Sequence, residues 1–597
     1  MQKNRIRTLL LTAVWITVIL NVQYIGYALD TSKYISIDEI STDMEAYCLT
    51  VFSGTKIEKF ELEILSIVRN YEPGLSMILV KGTDERFLKN SAVHGCSGSP
   101  VYIDGRMAGA WAAGWDGSLE PLYLVRPIQD MLAVGSETTV SGASNAVSLS
   151  YENSQSLDLD ASYEQYLQRL KSTPRGSKMI LPLSSSLPTS VMQPFSSLFE
   201  GRGLVPVSAG ALLPSEAFSE TGEIVPGGVL SLVLCGGDIS LVGTGTVTEV
   251  IGDQFFGFGH EFNGTGAVNY PIAAGIVHTV VGSRTESFKF SSPGPILGTL
   301  EYDQTSAIRG TIGKMPKKID LKIGVDCYND PQHRDYDCYM AVDPDMTPMI
   351  LQVVLNGAAQ MKASFPPEHT VNYSGRIVIE GNETISFDNI SSQRSMVQAA
   401  GEMASAMSLL MNNSFGQVKV DSVEMNISIE PKNILASVWA VQVNQTKVRP
   451  GQTVNATVVL KTYRSEEETV EIDLKIPETL TAGTYKIQIL GSDDYETFAS
   501  GMAPHKYRAT DLPSLKSGLK RVMQLRRDKL FAVMPTPASG LIIRQHEMGQ
   551  LPPTKMLLMQ DSKRLLPLEP YKAWIENSIT LDRIVQGRAE IEITVEN

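Results

Sequence analysis

The sequence predicts a mainly β protein of several domains, and three observations carry that prediction. Short apolar runs recur at 47–52, 60–68, 77–80, 228–234, 245–251, 274–281 and 319–325, separated by Gly, Asp and Pro turn signals. Between 470 and 489 the pattern becomes alternation: Val470, Ile472, Leu474 and Ile476, then Tyr485, Ile487 and Ile489, are set between mostly polar residues, as half-buried antiparallel strands require. Helical periodicity is strong in one place, residues 391–411, where Met396, Ala400, Met403, Met407 and Leu410 form one stripe and Asn412-Asn413 ends it. That stripe reads as core.

A chain of 597 residues is too long for one core and divides into roughly three or four domains. Hydrophobic residues at 43% against 19% charged place it among folded proteins. A net charge of -14, with no Lys/Arg cluster, excludes a nucleic-acid partner. Lys3, Arg5 and Arg7 precede an apolar run at 9–20, and Gly26 and Ala28 supply small residues for cleavage, so residues 1–28 read as a secretory signal peptide. The run is shorter than the ~20 residues a membrane span needs, and no later segment is long enough to span. The mature protein is expected to begin near Leu29 and to work outside the cytoplasm, periplasmic or secreted.

In order, residues 29–135 read as strands with a short helix at 127–132, and 136–203 read as a polar linker or insertion with one helix at 160–171. Strands return over 204–430, a small β-sandwich is expected at 431–500, and 501–597 form a C-terminal α+β region with a basic helix at 515–527. Cys327 and Cys338 bracket a polar turn, which predicts a disulfide closing that hairpin; Cys48, Cys96 and Cys235 read as small core residues. Asp326, Asp330, Asp335, Asp337, Asp343 and Asp345 crowd the same hairpin, but without a Gly-spaced calcium loop they read as a solvated face, and no metal is expected.

The stretch with chemistry in it is Val93-His-Gly-Cys-Ser-Gly-Ser-Pro-Val-Tyr-Ile-Asp-Gly105. Glycines on both sides of Ser97 let the backbone bend so that the Gly95 and Ser97 N–H groups can face one small space, as an oxyanion hole requires. The Gly-x-Ser-x-Gly elbow of α/β-hydrolases does not fit, because a helix must follow the serine there, whereas Pro100 and a β-branched run follow here. A bland Gly/Ser/Pro surface turn fits the loop on its own. A nucleophilic serine needs a base, and of seven histidines His260 stands out at the glycine-flanked end of an aromatic strand, Gly257-Phe-Gly-His260. His94 shares the Ser97 loop, and His278 sits in an apolar strand as a core histidine. The acid that orients the base could be Asp84, Asp238 or Asp253, and spacing does not choose among them.

Taken together these residues resemble the SpoIVB-type serine peptidases of bacterial sporulation. The resemblance runs through Glu58-Lys-Phe-Glu-Leu-Glu-Ile-Leu65, Met77-Ile-Leu-Val-Lys-Gly-Thr-Asp84, the Ser97 loop, Gly105-Arg-Met-Ala-Gly109, Gly257-Phe-Gly-His260, and Ser287-Phe-Lys to Gly298-Thr, most of residues 40–325. It implies Ser97 as nucleophile, His260 as base and Asp84 as acid, in a chymotrypsin-like pair of β-barrels with the site in the cleft between them. Here the serine half precedes the histidine half, a circular permutation; Cys96 stands where the family commonly has Met, Glu261 where permuted relatives often have Pro, and Asp84 is two residues closer to the serine. The reading is an extracytoplasmic serine endopeptidase acting on a protein or peptide substrate without a cofactor. Its rival is a catalytically silent envelope binding protein with a peptidase-like fold.

Overall fold

The computed structural model describes residues 30–596 apart from 91, 116–117, 137–154, 172–180, 209–221, 284–286, 362–364, 393–394, 463, 465, 544 and 560–567. The expected signal peptide lies outside the described residues. The first strands are β1 (Ala46–Val51), β2 (Ile57–Glu72), β3 (Leu75–Gly82), β4 (Val93–His94), β5 (Pro100–Ile103), β6 (Arg106–Gly114) and β7 (Leu122–Pro127). Six of them close an antiparallel barrel in the order β1-β2-β3-β7-β6-β5. Alternation along these strands turns Cys48, Phe60, Leu62, Ile78, Val80, Val101 and Trp111 into one buried cluster. Phe60 packs against Phe52 and Phe87 at ring centroid separations of 4.6 and 4.9 Å, filling the barrel.

The strand β4 leaves this barrel. It pairs in parallel with a strand of the next sheet, Val93 opposite Ser287 and His94 opposite Phe288, so the residues that follow it lie where the two layers meet.

After β8 (Gln155–Ser156) come β9 (Leu181–Ser185), β10 (Leu204–Ser208), β11 (Val229–Gly237), β12 (Leu241–Ile251), β13 (Gln254–Gly257), β14 (Gly266–Val281), β15 (Ser287–Gln304), β16 (Ala307–Ile312), β17 (Lys318–Cys327), β18 (Asp330–Ala341), β19 (Thr370–Ile379), β20 (Glu383–Ser392) and β21 (Val420–Glu430). With β4 they form a 14-stranded sheet, β10-β9-β12-β13-β16-β15-β14-β11-β18-β17-β21-β19-β20, from which β8 is absent. Helices Met346–Gln360 and Ser395–Met411 belong to the same core, and Met396, Met403 and Met407 are at most 1% exposed, so the methionine stripe is packing. The first of these helices buries residues 346–359 on every side and therefore has no polar face to give it a 3.6-residue stripe.

Two expectations about organisation change. The polar stretch 136–203 contributes to the core wherever it is described: helix Leu159–Lys171 buries Tyr166 and Leu170, Ser405 donates to the Leu159 carbonyl at 2.6 Å, and β9 pairs with both β10 and β12. The sandwich, too, draws on the last hundred residues. One sheet orders Glu467–Lys475, Thr453–Thr462, Leu435–Val443 and Ile584–Gln586; the other orders Lys447–Val448, Arg588–Val595, Gly483–Gly491, Lys529–Pro535 and Trp574–Thr580.

The Cys327–Cys338 disulfide is corrected. Cys327 lies opposite Asp330 at the tip of the β17–β18 hairpin, whereas Cys338 lies opposite Leu321, six residues down the strand from Cys327. At a strand rise of ~3.4 Å per residue that separates them by roughly 20 Å, far beyond the ~7 Å a disulfide tolerates. All five cysteines are free thiols. The acidic hairpin pairs with its own cations, Asp326 and Asp335 with His333 and Asp330 with Arg334, and among the described residues no group of three or more His, Cys, Asp or Glu is placed to hold a metal.

Candidate active site

Between β4 and β5 the chain turns twice through the left-handed region, at Gly95 (φ 93) and Gly98 (φ 91), which non-glycine residues rarely enter. A Cβ on Gly98 would stand 2.1 Å from the Thr246 carbonyl and 2.4 Å from the Phe258 nitrogen, so the Ser97 turn lies directly against β12 and the end of β13. Four successive carbonyls of the turn are tied down. Thr246 Oγ1 donates to Gly95 O at 2.9 Å, the Ser99 N–H to Cys96 O at 2.9 Å, the Thr246 N–H to Ser97 O at 2.8 Å and Thr248 Oγ1 to Gly98 O at 2.7 Å. The Cys96 and Gly98 N–H groups are used, on Val93 O and Trp111 O, while neither the Gly95 nor the Ser97 N–H has a loop or turn acceptor among the described residues. A turn fixed through its carbonyls can bind an oxyanion without rearranging.

The opposing loop begins where β13 ends. Phe258 takes φ 67, uncommon for a bulky residue, and Gly259 φ 71. Phe258 is fully buried, and its ring occupies the space that Gly245 leaves open: a Cβ there would be 2.4 Å from the ring. This bend turns His260 back toward the barrel. His260 Nε2 stands 3.0 Å from Ser97 Oγ, and its Nδ1 stands 2.6 Å from the backbone carbonyl of Glu261. A carbonyl only accepts, so Nδ1 carries the proton, which leaves Nε2 with a lone pair toward the Ser97 hydroxyl.

Residues 23–113 match the family model described as SpoIVB peptidase S55. That segment is similar to the SpoIVB peptidase S55 family. It carries the barrel almost to the end of β6, and Ser97 with it. No curated protein and no solved structure matches the chain. His260 lies outside the matched residues, so its place beside Ser97 is known from the fold alone.

Asp84 is not brought to His260. Its Oδ1 accepts from the Arg86 N–H at 2.9 Å and Nε at 3.0 Å, and its Oδ2 accepts from Nη2 at 2.9 Å, so the neighbouring guanidinium holds its carboxyl below the usual range. Arg86 in turn lies over the Phe60 ring, 3.8 Å from its centroid. Asp84 is thus half of a local ion pair at the start of helix Glu85–Asn90. Asp238 accepts from the Asp337 N–H, and the Asp253 carbonyl accepts from the Ile312 N–H at the β12–β13 turn. His278 bonds Ser292 Oγ at 2.9 Å within its strand pair, but it is exposed on β14 and is not the core histidine its apolar strand suggested. Because Asp84 touches neither Ser97 nor His260, Asp84→Asn should leave hydrolytic turnover within about threefold of wild type and cost about 1 kcal/mol of stability, read by substrate hydrolysis and urea unfolding.

Asp303 was not singled out by the sequence. It is fully buried on β15, and its carboxylate accepts three successive backbone N–H groups of the loop that follows the histidine: Phe262 at 2.7 Å, Asn263 at 2.7 Å and Gly264 at 2.9 Å. Burial pushes its pKa up to about 6 against the pull of those donors. The carboxylate therefore fixes the segment that carries the Glu261 carbonyl. Its sequence surroundings do not mark it out, because Glu301 stands two residues before it on the same strand. Ser97 is fully buried and His260 is 4% exposed, so a polypeptide reaches the pair only when covering groups part.

Proposed function

We propose that the chain is a serine endopeptidase that forms an acyl-enzyme on Ser97, with His260 as general base and then general acid, the Glu261 carbonyl holding the imidazole tautomer, and the Gly95 and Ser97 N–H groups holding the oxyanion. The observation that carries this reading is the 3.0 Å approach of Ser97 Oγ to His260 Nε2, on a ring whose other nitrogen is oriented by a carbonyl. Attack by Oγ on a peptide carbonyl sends the hydroxyl proton to Nε2, and collapse returns it to the departing amine. Water then repeats the cycle in reverse. The orienting carbonyl supplies tautomer and direction but only a dipole, so it stabilises the imidazolium less than a carboxylate does. The family assignment supports a serine peptidase, and a signal-like N-terminus supports action outside the cytoplasm; among the described residues no helix is long and apolar enough to cross a membrane.

One observation favours the rival reading of a silent binding protein: the burial of Ser97 and His260. Incubation of the purified chain with an unfolded protein substrate separates the two. Fragments from wild type and none from Ser97→Ala support the peptidase; equal fragments from both preparations, or none from either at long times, support the rival.

A further inference from the structure

Lys289, the lysine of the Ser287-Phe-Lys run, is fully buried behind the Ser97 turn. Its aliphatic stem stands 3.2 to 3.3 Å from where a Gly95 Cβ would be, so Gly95 and Lys289 pack closely. Its Nζ donates to Thr50 Oγ1 of the barrel at 2.8 Å and to Thr246 Oγ1 of β12 at 3.1 Å, and it also reaches the Cys96 thiol. Thr246 Oγ1 passes the interaction on, donating its own hydrogen to Gly95 O. One ammonium thereby joins the barrel, the nucleophile turn and the sheet that carries His260. Among the described residues it forms no ion pair with a carboxylate; its hydrogen-bond partners are two hydroxyls and the Cys96 thiol, and burial lowers its affinity for the proton. Buried cations are ordinarily paired with an anion.

We propose that Lys289 is a positioning residue of the Ser97 site, which holds the Gly95–Ser97 turn in its oxyanion-binding shape through Thr246 and sets a positive charge behind the N–H groups where the tetrahedral oxyanion develops. The anion it lacks in the resting protein is the one formed in the reaction. Interactions that strengthen only as charge develops raise turnover and leave ground-state binding alone. This inference rests on the peptidase reading.

The test uses the full chain with Lys289→Met, which keeps the length of the stem, and Thr246→Val, which keeps the lysine and removes the relay. Each variant is assayed for kcat and KM on a peptide substrate and for affinity toward a peptide boronic acid, which forms a tetrahedral adduct on serine. Folded Lys289→Met should lose about 100-fold in kcat with KM within about twofold, and boronate affinity should fall by a similar factor. A folded variant whose kcat stays within about threefold, or whose kcat falls while boronate affinity does not, overturns the proposal. If Lys289→Met does not fold, Thr246→Val decides on the same readouts. A wild type that takes no boronate or fluorophosphonate at Ser97 overturns the peptidase reading itself. A wild type that does, with variants that match it, overturns only the role of Lys289.

Discussion

Replacing Ser97 by alanine should lower peptide hydrolysis by about a million-fold, and replacing His260 by alanine should lower it nearly as far. The double variant should be no worse than either single one. The reason is geometric: the Ser97 hydroxyl is a weak nucleophile unless its proton leaves as attack begins, and His260 Nε2, at 3.0 Å, is placed to take it. Without either partner the other does nothing, while the Gly95 and Ser97 N–H groups and substrate binding retain a residual rate. Both variants should fold. Ser97→Ala removes one oxygen from a turn held by four backbone carbonyls, none of them its side chain's partner. Hydrolysis of a peptide substrate, with circular dichroism as the folding control, reads both expectations; additive losses in the double variant would mean that the two side chains act separately.

The second large effect belongs to Asp303. Asp303→Asn turns an amide N–H₂ toward three N–H donors that now meet a carboxylate, and the loop behind His260 must shift to avoid them. A displacement of about 1 Å at a catalytic base costs about 100-fold in turnover, and the unsatisfied donors cost about 2 kcal/mol of stability. The pH dependence separates the two states of the acid. The folded pKa of about 6 lies above the ~4 of an unfolded chain, so between those values the native state binds the proton more tightly. Stability contributed by this group is present below pH ~4 and lost as pH rises through about 6, by ~3 kcal/mol in all. Activity runs the other way, since only the carboxylate accepts all three N–H groups. Asn does not titrate, so urea unfolding of Asp303→Asn near pH 4.5 and near pH 7 should lack this component. An unchanged pH slope in the variant would assign the slope to other groups.

How much of this was legible in the sequence depends on the range over which each signal acts. The Ser97 turn was readable because its glycines are local: Gly95 and Gly98 both adopt the positive φ that their placement suggested. The glycine before His260 was readable for the same reason, though the strain at Phe258 was not, since nothing in a phenylalanine announces φ 67. Helix Ser395–Met411 was visible through its stripe, whereas helix Met346–Gln360, apolar all round, had no period to find. The strands at 470–489 were visible, but the partners of the second of them, at 529–535 and 588–595, are set by pairing across long separations, which alternation does not encode. Cys327 and Cys338 bracket a turn in sequence, yet the register puts one at the hairpin tip and the other well down the strand. The environment of Asp84 was hidden by its nearest neighbour: Arg86, two residues on, takes the carboxylate. Asp303 and Lys289 act through groups 39 or more positions away, which only the folded chain brings to them.

The central claim is that Ser97 is a nucleophile activated by His260, and the most direct measurement is the site of covalent labelling. The folded wild-type chain, incubated with a fluorophosphonate and digested, should carry the phosphonyl group on the peptide containing Ser97, and His260→Ala should lose that adduct while keeping its fold. No adduct at Ser97 in the folded wild type, or an adduct formed equally fast without His260, would contradict it.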